Sequence, residues 1–283
     1  MSDNLNIRIL KEKLFLICIG ILTIATVFPL FHIMYSIIAN GLPVLIKGGW
    51  SFLTGTLAPP GDGLGGIGPA IVGTFILTAL ASLIGLPVAV LTGIYAAEYP
   101  NSLIGRATRT LLMIMMEFPT ILVGLFVMNL VVLPMGSYSA IAGALSLAII
   151  MMPYVAVYTD EALKSIPPKY REGAFALGLT RAKVVFKVLI GLARKGIMTG
   201  VLIGIAKVAG ETAPLLFTAG GASRVYFDGL NRPIGAIPLL IYNLVQQPYT
   251  NYHEIAWGAS LLLMIIFLGL FLPIRLSLKE VKL

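Results

Sequence analysis

Two ionisable side chains stand where an apolar sequence should have none. Lys207 and Glu211 lie in the stretch KVAGETAP, inside a run of 22 residues from Ile197 to Thr218 that is otherwise uncharged. A charge at the centre of a membrane helix costs about 2.5–3.5 kcal/mol on insertion scales, so such a pair is kept for a reason. Four residues apart on a helix the two share a face, and a self-neutralising contact is one reason. Lys before Glu is the weaker order, however, and two leucines would serve stability as well. The other reason is an ion path. Lys207 offsets the charge of an anion, Glu211 keeps that attraction weak enough for release, and Thr212 adds a hydroxyl donor. Pro214 leaves the Gly210 carbonyl without its helical partner and loosens the helix beside the pair. As the eleventh of the 22 residues, Lys207 is expected about 15 Å from either end of a helical span, too deep for its ammonium to snorkel to bulk water.

Other chemistries are excluded by context. GLGGIG at 63–68 satisfies the dinucleotide-binding spacing, but that motif works between a strand and a helix, and here Pro59 and Pro60 break the chain just before it. It reads as a flexible entry into a helix. GAS at 258–260 suggests an intramembrane serine nucleophile, yet His32 and His253 are the only histidines and neither follows the serine in a later span. His32 has no second ligand type beside it and reads as a packed or interfacial residue. The single cysteine, Cys18, lies in an apolar run, which leaves no disulfide framework. No Gly-rich phosphate loop ending in Gly-Lys-Ser/Thr occurs, so the chain carries no nucleotide site of that kind. If ATP drives it, another subunit hydrolyses the ATP, and the chain by itself is no enzyme and holds no cofactor.

The elements that must position the pair are membrane helices. The chain has 283 residues, of which 58% are hydrophobic and 11% charged, against about a quarter charged in soluble domains. Its mean hydropathy is +0.96. Six stretches meet the requirement of about 20 mostly apolar residues: Leu14–Ile38, Pro69–Ala97, Thr110–Leu133, Ser139–Tyr158, Ile197–Thr218 and Ile255–Arg275. The first outruns a signal-peptide core and has no small-residue cleavage site after it, so it reads as a retained helix. Leu42–Thr54 and Ile237–Val245 are apolar but too short to cross, and short interfacial or re-entrant helices are expected there.

The net charge of +8 reports topology rather than a nucleic-acid partner, because the basic residues are spaced apart with no aromatic stripe. With the N-terminus inside, sixteen basic residues fall on the inner side, including Arg106, Arg109 and the eight between Lys164 and Lys195. Lys47, Arg224 and Arg232 fall outside. That bias predicts cytoplasmic termini in a multi-pass cell-membrane protein surrounded by lipid. The organisation that follows is a tail at 1–13, a first helix and outer loop at 14–64, a permease core at 65–276 with an inner loop at 159–196, and a tail at 277–283.

That inner loop is punctuated. Pro167 and Pro168 stop the fourth span, and Pro168 suits the first turn of a new helix. A short helix is expected over Lys169–Leu177, ended at Gly178 by a left-handed cap, and Thr180 is placed to cap another through about Leu189. Gly173, Ala174, Ala176 and Gly178 permit close approach, while Tyr170, Phe175 and Leu179 supply apolar anchors. Such a helix suits a socket on a soluble partner, and an amphipathic surface loop has equal standing on physical grounds alone.

REGAFALGLTRAKVVFKVLIGLARKGIMTG, from Arg171, resembles the E-A-A-x-x-x-G loop of type I ABC importer permeases. Glu172, Gly173, Ala174 and Gly178 fall on its motif positions, with Gly173 in place of the first Ala. GETAPLLFTAGG (210–221), GGIGPAIVGT (65–74), GIYAAEY (93–99) and FPTILVGLFV (118–127) are similar to the phosphate, or PstA, branch of that family. Family members often carry proline where this chain has Gly191 and Lys195, and usually Arg where it has Lys207. The resemblance implies an all-α integral membrane protein with six transmembrane helices in the MetI-like permease fold. It implies a substrate path at Lys207, Glu211 and Thr212, and ATPase coupling through Glu172, Gly173, Ala174, Gly178 and Leu179. It also implies a homologous second permease (PstC-like), two copies of an ATPase (PstB-like) that binds the ATP, and an external phosphate-binding protein (PstS-like). A permease for molybdate, sulfate or phosphonate would have the same architecture, and an ion-coupled secondary transporter is a further alternative, although the chain shows no inverted repeat.

Overall fold

The computed structural model describes residues 2–222 and 224–277. Met1, Ser223 and residues 278–283 of the expected tail at 277–283, with Lys279 and Lys282, lie outside the described residues. Within them the chain is helical: α1 (Ser2–Thr54), α2 (Gly68–Glu98), α3 (Leu103–Glu117), α4 (Thr120–Met135), α5 (Ala140–Lys164), α6 (Pro168–Ala176), α7 (Arg181–Ala209), α8 (Ala213–Leu216), α9 (Ile237–Val245) and α10 (Thr250–Ser277). Five helices are long and apolar enough to cross a membrane, and α3 with α4, bent by 101°, makes a sixth. The expected number of spans therefore stands, but three of them differ in shape.

The first span does not end near Ile38. Helix α1 continues through Pro43, so Leu42–Thr54 is its last part rather than a separate helix, and the break comes at Gly49 (φ 49°, ψ −136°). The part from Lys11 to Ile33 is exposed on every side, Cys18 included. From Gly41 onward α1 lies on α10. Gly41 faces Trp257 and Leu261, and Val44 and fully buried Phe52 close over Gly258. By contrast, the short helix expected at Ile237–Val245 is α9. GLGGIG is loop, with positive φ at Gly63 and Gly65 and the Gly66 amide donating to Thr56 O at 2.8 Å.

The third span is an elbow. Phe118 precedes Pro119 and is held extended (φ −71°, ψ 131°), since the proline ring disfavours helical geometry one residue earlier. Proline also offers no N–H to continue the ladder. The chain therefore turns, and Gly124 of α4 comes against Pro214 of α8.

The fifth span is broken where the charged pair sits. Helix α7 ends at Ala209, Gly210 leaves helical geometry (φ −99°, ψ 1°), and Pro214 restarts the chain in the first turn of α8, a position proline tolerates. At its other end α7 begins at Arg181 and runs unbroken into the span through a π-helical stretch, Val184–Leu189. The separate helix expected to stop near Leu189 is therefore the start of this span. Gly191 and Lys195 lie inside it, where proline would have interrupted the ladder.

The centre of the bundle is α5, packed between α2 and α7. Small residues bring the backbones together: Gly85 and Gly93 of α2 meet Ala148 and Ala156 of α5, and Gly200 and Gly204 of α7 meet Tyr158 and Val155. In a bilayer such close packing, rather than apolar burial, drives helix association. Ser139 caps α5 by accepting from the Ala142 amide at 3.1 Å.

Candidate substrate path and docking loop

Lys207 occupies the last turn of α7 and Glu211 lies beyond its end, with Nζ 2.7 Å from Oε1. The pair the sequence places on one helix therefore straddles a helix break. A cation in the last turn also favours the negative end of the helix dipole. The Lys207 side chain is 38% exposed and that of Glu211 11%. Thr212 is half-buried at the entry to α8, and its hydroxyl has no partner among the described residues.

Gly204 lies level with Val155 and Met151 of α5. Lys207 is nearly a turn further on, about 18 Å beyond Lys195 at 1.5 Å per residue. That puts the pair nearly a turn beyond the middle of α5, on the side away from the basic loop. Two discontinuities meet there, since α4, the far arm of the elbow, packs on α8. Tyr154 of α5 joins them: its hydroxyl donates to Met116 O of α3 at 3.3 Å, and it lies within electrostatic reach of Lys207. The arrangement offers one cation, one carboxylate and one free hydroxyl at a gap in the backbone ladder, which suits transient contact with a small anion.

At the basic end, helix α6 closely matches the short helix expected from the loop sequence, and Gly178 adopts the left-handed conformation (φ 75°). Thr180 is extended at the start of α7, but its hydroxyl makes no cap hydrogen bond. The five loop residues divide into two sets. Glu172, Gly173 and Gly178 face outward, and a Cβ at either glycine would meet nothing within 4 Å. Ala174 is buried, and with half-buried Leu179 it packs on Leu163, Val184 and Leu189. These two residues seat the helix on its own chain. The outward apolar residues are Phe175 and Leu177, exposed by 44% and 82%. Leu177 was not singled out by sequence, where it reads only as the end of a helix.

Sequence also missed how the loop is tied down. Glu98, at the end of α2 and 5% exposed, accepts from Arg171 of α6 at 2.7 Å and from Arg181 of α7 at 3.3 Å. Arg181 also donates to the Glu98 carbonyl and stacks 4.2 Å from the Tyr99 ring centroid. One buried carboxylate thus holds both flanks of the exposed helix to a membrane span. Nearby, Asp160 of α5 takes a two-pronged contact from Arg109 of α3, at 3.1 and 3.2 Å, and one from Lys164 at 2.5 Å. The only sequence signal for Glu98 was its place in GIYAAEY, 73 residues from Arg171.

A bundle of broken membrane helices with a short exposed helix on its basic side is the architecture of a transport permease. The model of the family described as binding-protein-dependent transport system inner membrane component matches residues 89–279, and the chain belongs to that family. Among relatives, it is 60% identical over 97% of its length, and 96% of the other's, to the probable phosphate transport system permease protein PstA of Methanocaldococcus jannaschii. It is 38% identical over 96% of its length, and 98% of the other's, to the phosphate transport system permease protein PstA of Pasteurella multocida. Inward-facing conformations of the MetNI methionine ABC transporter share the fold. One crystal form gives a TM-score of 0.52 at 20% identity, covering 84% of this chain and 94% of that one.

Proposed function

We propose that the chain is the membrane-spanning permease subunit of an ATP-driven phosphate importer, forming half of the translocation path. The observation that carries this reading is the Lys207–Glu211 pair at the break between α7 and α8, where α8 packs on the far arm of the elbow. The substrate is suggested by the relatives named as phosphate permeases, and the anion-suited chemistry of the break supports it. ATP is bound and hydrolysed by a separate ATPase dimer that receives α6. A homologous second permease completes the path, and an external binding protein delivers the phosphate. Co-expression of the four components and reconstitution in proteoliposomes tests the whole reading. ATP-dependent uptake of labelled phosphate is expected, with little competition from molybdate or sulfate. Uptake of another oxyanion in preference to phosphate would move the chain to a different branch.

The basic side is assigned to the cytoplasm by the charge bias. In a Cys18→Ser background, Asp228→Cys in the exposed loop before α9 is expected to react with an impermeant thiol reagent applied outside intact cells. Ser165→Cys, exposed next to α6, is expected to react only after permeabilisation. The reverse pattern would invert the topology.

A further inference from the structure

Glu117 is a third ionisable residue at membrane depth, on the outer face of the bundle, and nothing above uses it. It ends α3, eight residues or about 12 Å beyond Arg109 along the helix. The neighbouring Met116 carbonyl is held by Tyr154, well inside α5, so the elbow lies at membrane depth. Glu117 is exposed and has no ion pair or hydrogen bond among the described residues. It also sits at the negative end of the α3 dipole, where a carboxylate is unfavourable. Facing lipid, such a group is costly at this depth. Beside it the elbow forms a concave apolar groove of about 330 Å3, lined by Ile114, Met115, Phe118, Leu122 and Phe126. On the same face as Glu117, one, two and three turns back along α3, Met113, Thr110 and Arg106 are also exposed.

We infer that this elbow is an interface for a transmembrane helix of a second, non-identical permease chain, whose apolar side chains fill the groove and whose Lys or Arg meets Glu117. Lipid can fill the groove but cannot neutralise the carboxylate. A second copy of this chain suits the groove poorly. Two chains inserted the same way round are related by rotation about the membrane normal, so a copy would bring a second Glu117 to the same depth, and its Lys207 is already paired with Glu211. A different sequence is free to supply the missing charge. The inference rests on the proposed pairing with a second permease, and it adds the contact and its chemistry.

The test uses the full importer, with this chain tagged and the second permease untagged, both recovered in mild detergent. Recovery of the second permease with the wild-type chain is the control, and its absence would defeat the pairing itself. Glu117→Leu and Glu117→Lys are expected to lower recovery about tenfold at equal membrane abundance, while Glu117→Asp retains it. Replacing, one at a time, the membrane-embedded Lys and Arg residues of the second permease by Glu should yield one position that restores recovery to Glu117→Lys. A merely structural role for Glu117 would give no such rescue. Unchanged recovery in Glu117→Leu would overturn the inference. If uptake nevertheless fell in that variant, Glu117 would belong to the path and not to the interface.

Discussion

Lys207→Ala is expected to abolish ATP-dependent phosphate uptake. Removing the ammonium takes away the positive charge at the break between α7 and α8, and in a low-dielectric setting no water replaces it fully. The same change leaves the Glu211 carboxylate, whose side chain is only 11% exposed, without its partner at 2.7 Å. An orphaned buried charge destabilises by about 3–5 kcal/mol, so loss of uptake alone would not separate a transport role from a structural one. A double variant makes the separation. Lys207→Ala with Glu211→Ala removes both charges, relieves the orphan and is expected to restore abundance and assembly, yet not uptake. Lys207→Arg, which keeps the cation with a broader donor fork, is expected to transport. Glu211→Gln retains a polar group against Lys207 and should reduce uptake less than Lys207→Ala. Wild-type uptake by the double variant, at equal membrane abundance, would make the pair a structural ion pair and remove it from the path.

The position of that pair shows what sequence alone could and could not tell. Hydropathy located every span, because the bilayer demands long apolar stretches whatever their tertiary partners. It could not see the breaks, since an elbow at Phe118–Pro119 and a helix end at Gly210 leave composition unchanged. Proline was the available signal in both places. Pro214 in sequence implies a loosened helix, whereas the helix stops at Ala209, before the pair is complete. Pro119 lies inside an apolar run that hydropathy takes as continuous. The loop was legible where local rules decide, as in the left-handed Gly178, and illegible where packing decides. Ala174 and Leu177 are three residues apart and both apolar. Which faces inward depends on packing against Leu163 and Val184, in the two flanking helices. The Glu98 tie between distant segments could not be inferred from either partner alone.

That tie frames the second large effect expected, Leu177→Asp. Leu177 is 82% exposed and touches little of its own chain, so the substitution should leave insertion and folding intact. If α6 seats in the ATPase, Leu177 and Phe175 are its apolar contacts, and buried apolar anchors carry most of the energy at such sockets. A carboxylate there must be desolvated without a partner, a cost of about 2–4 kcal/mol in docking, or 30-fold or more in affinity. Uptake should fall at least that much, together with recovery of the ATPase. Ala174→Asp would destroy the seat of the helix instead and is expected to lower abundance, so it cannot report on docking. Glu98→Gln tests the next step. Docking should survive, because Glu98 is buried away from the exposed face of α6. Arg171 and Arg181 would lose their shared carboxylate, however, and movement of α6 would no longer be carried firmly to α2. The expected signature is ATP hydrolysis that continues while phosphate transported per ATP drops, with Glu98→Asp recovering part of the ratio. An unchanged ratio in Glu98→Gln would make the cluster a static brace, and unchanged uptake in Leu177→Asp at normal abundance would take α6 out of the coupling path.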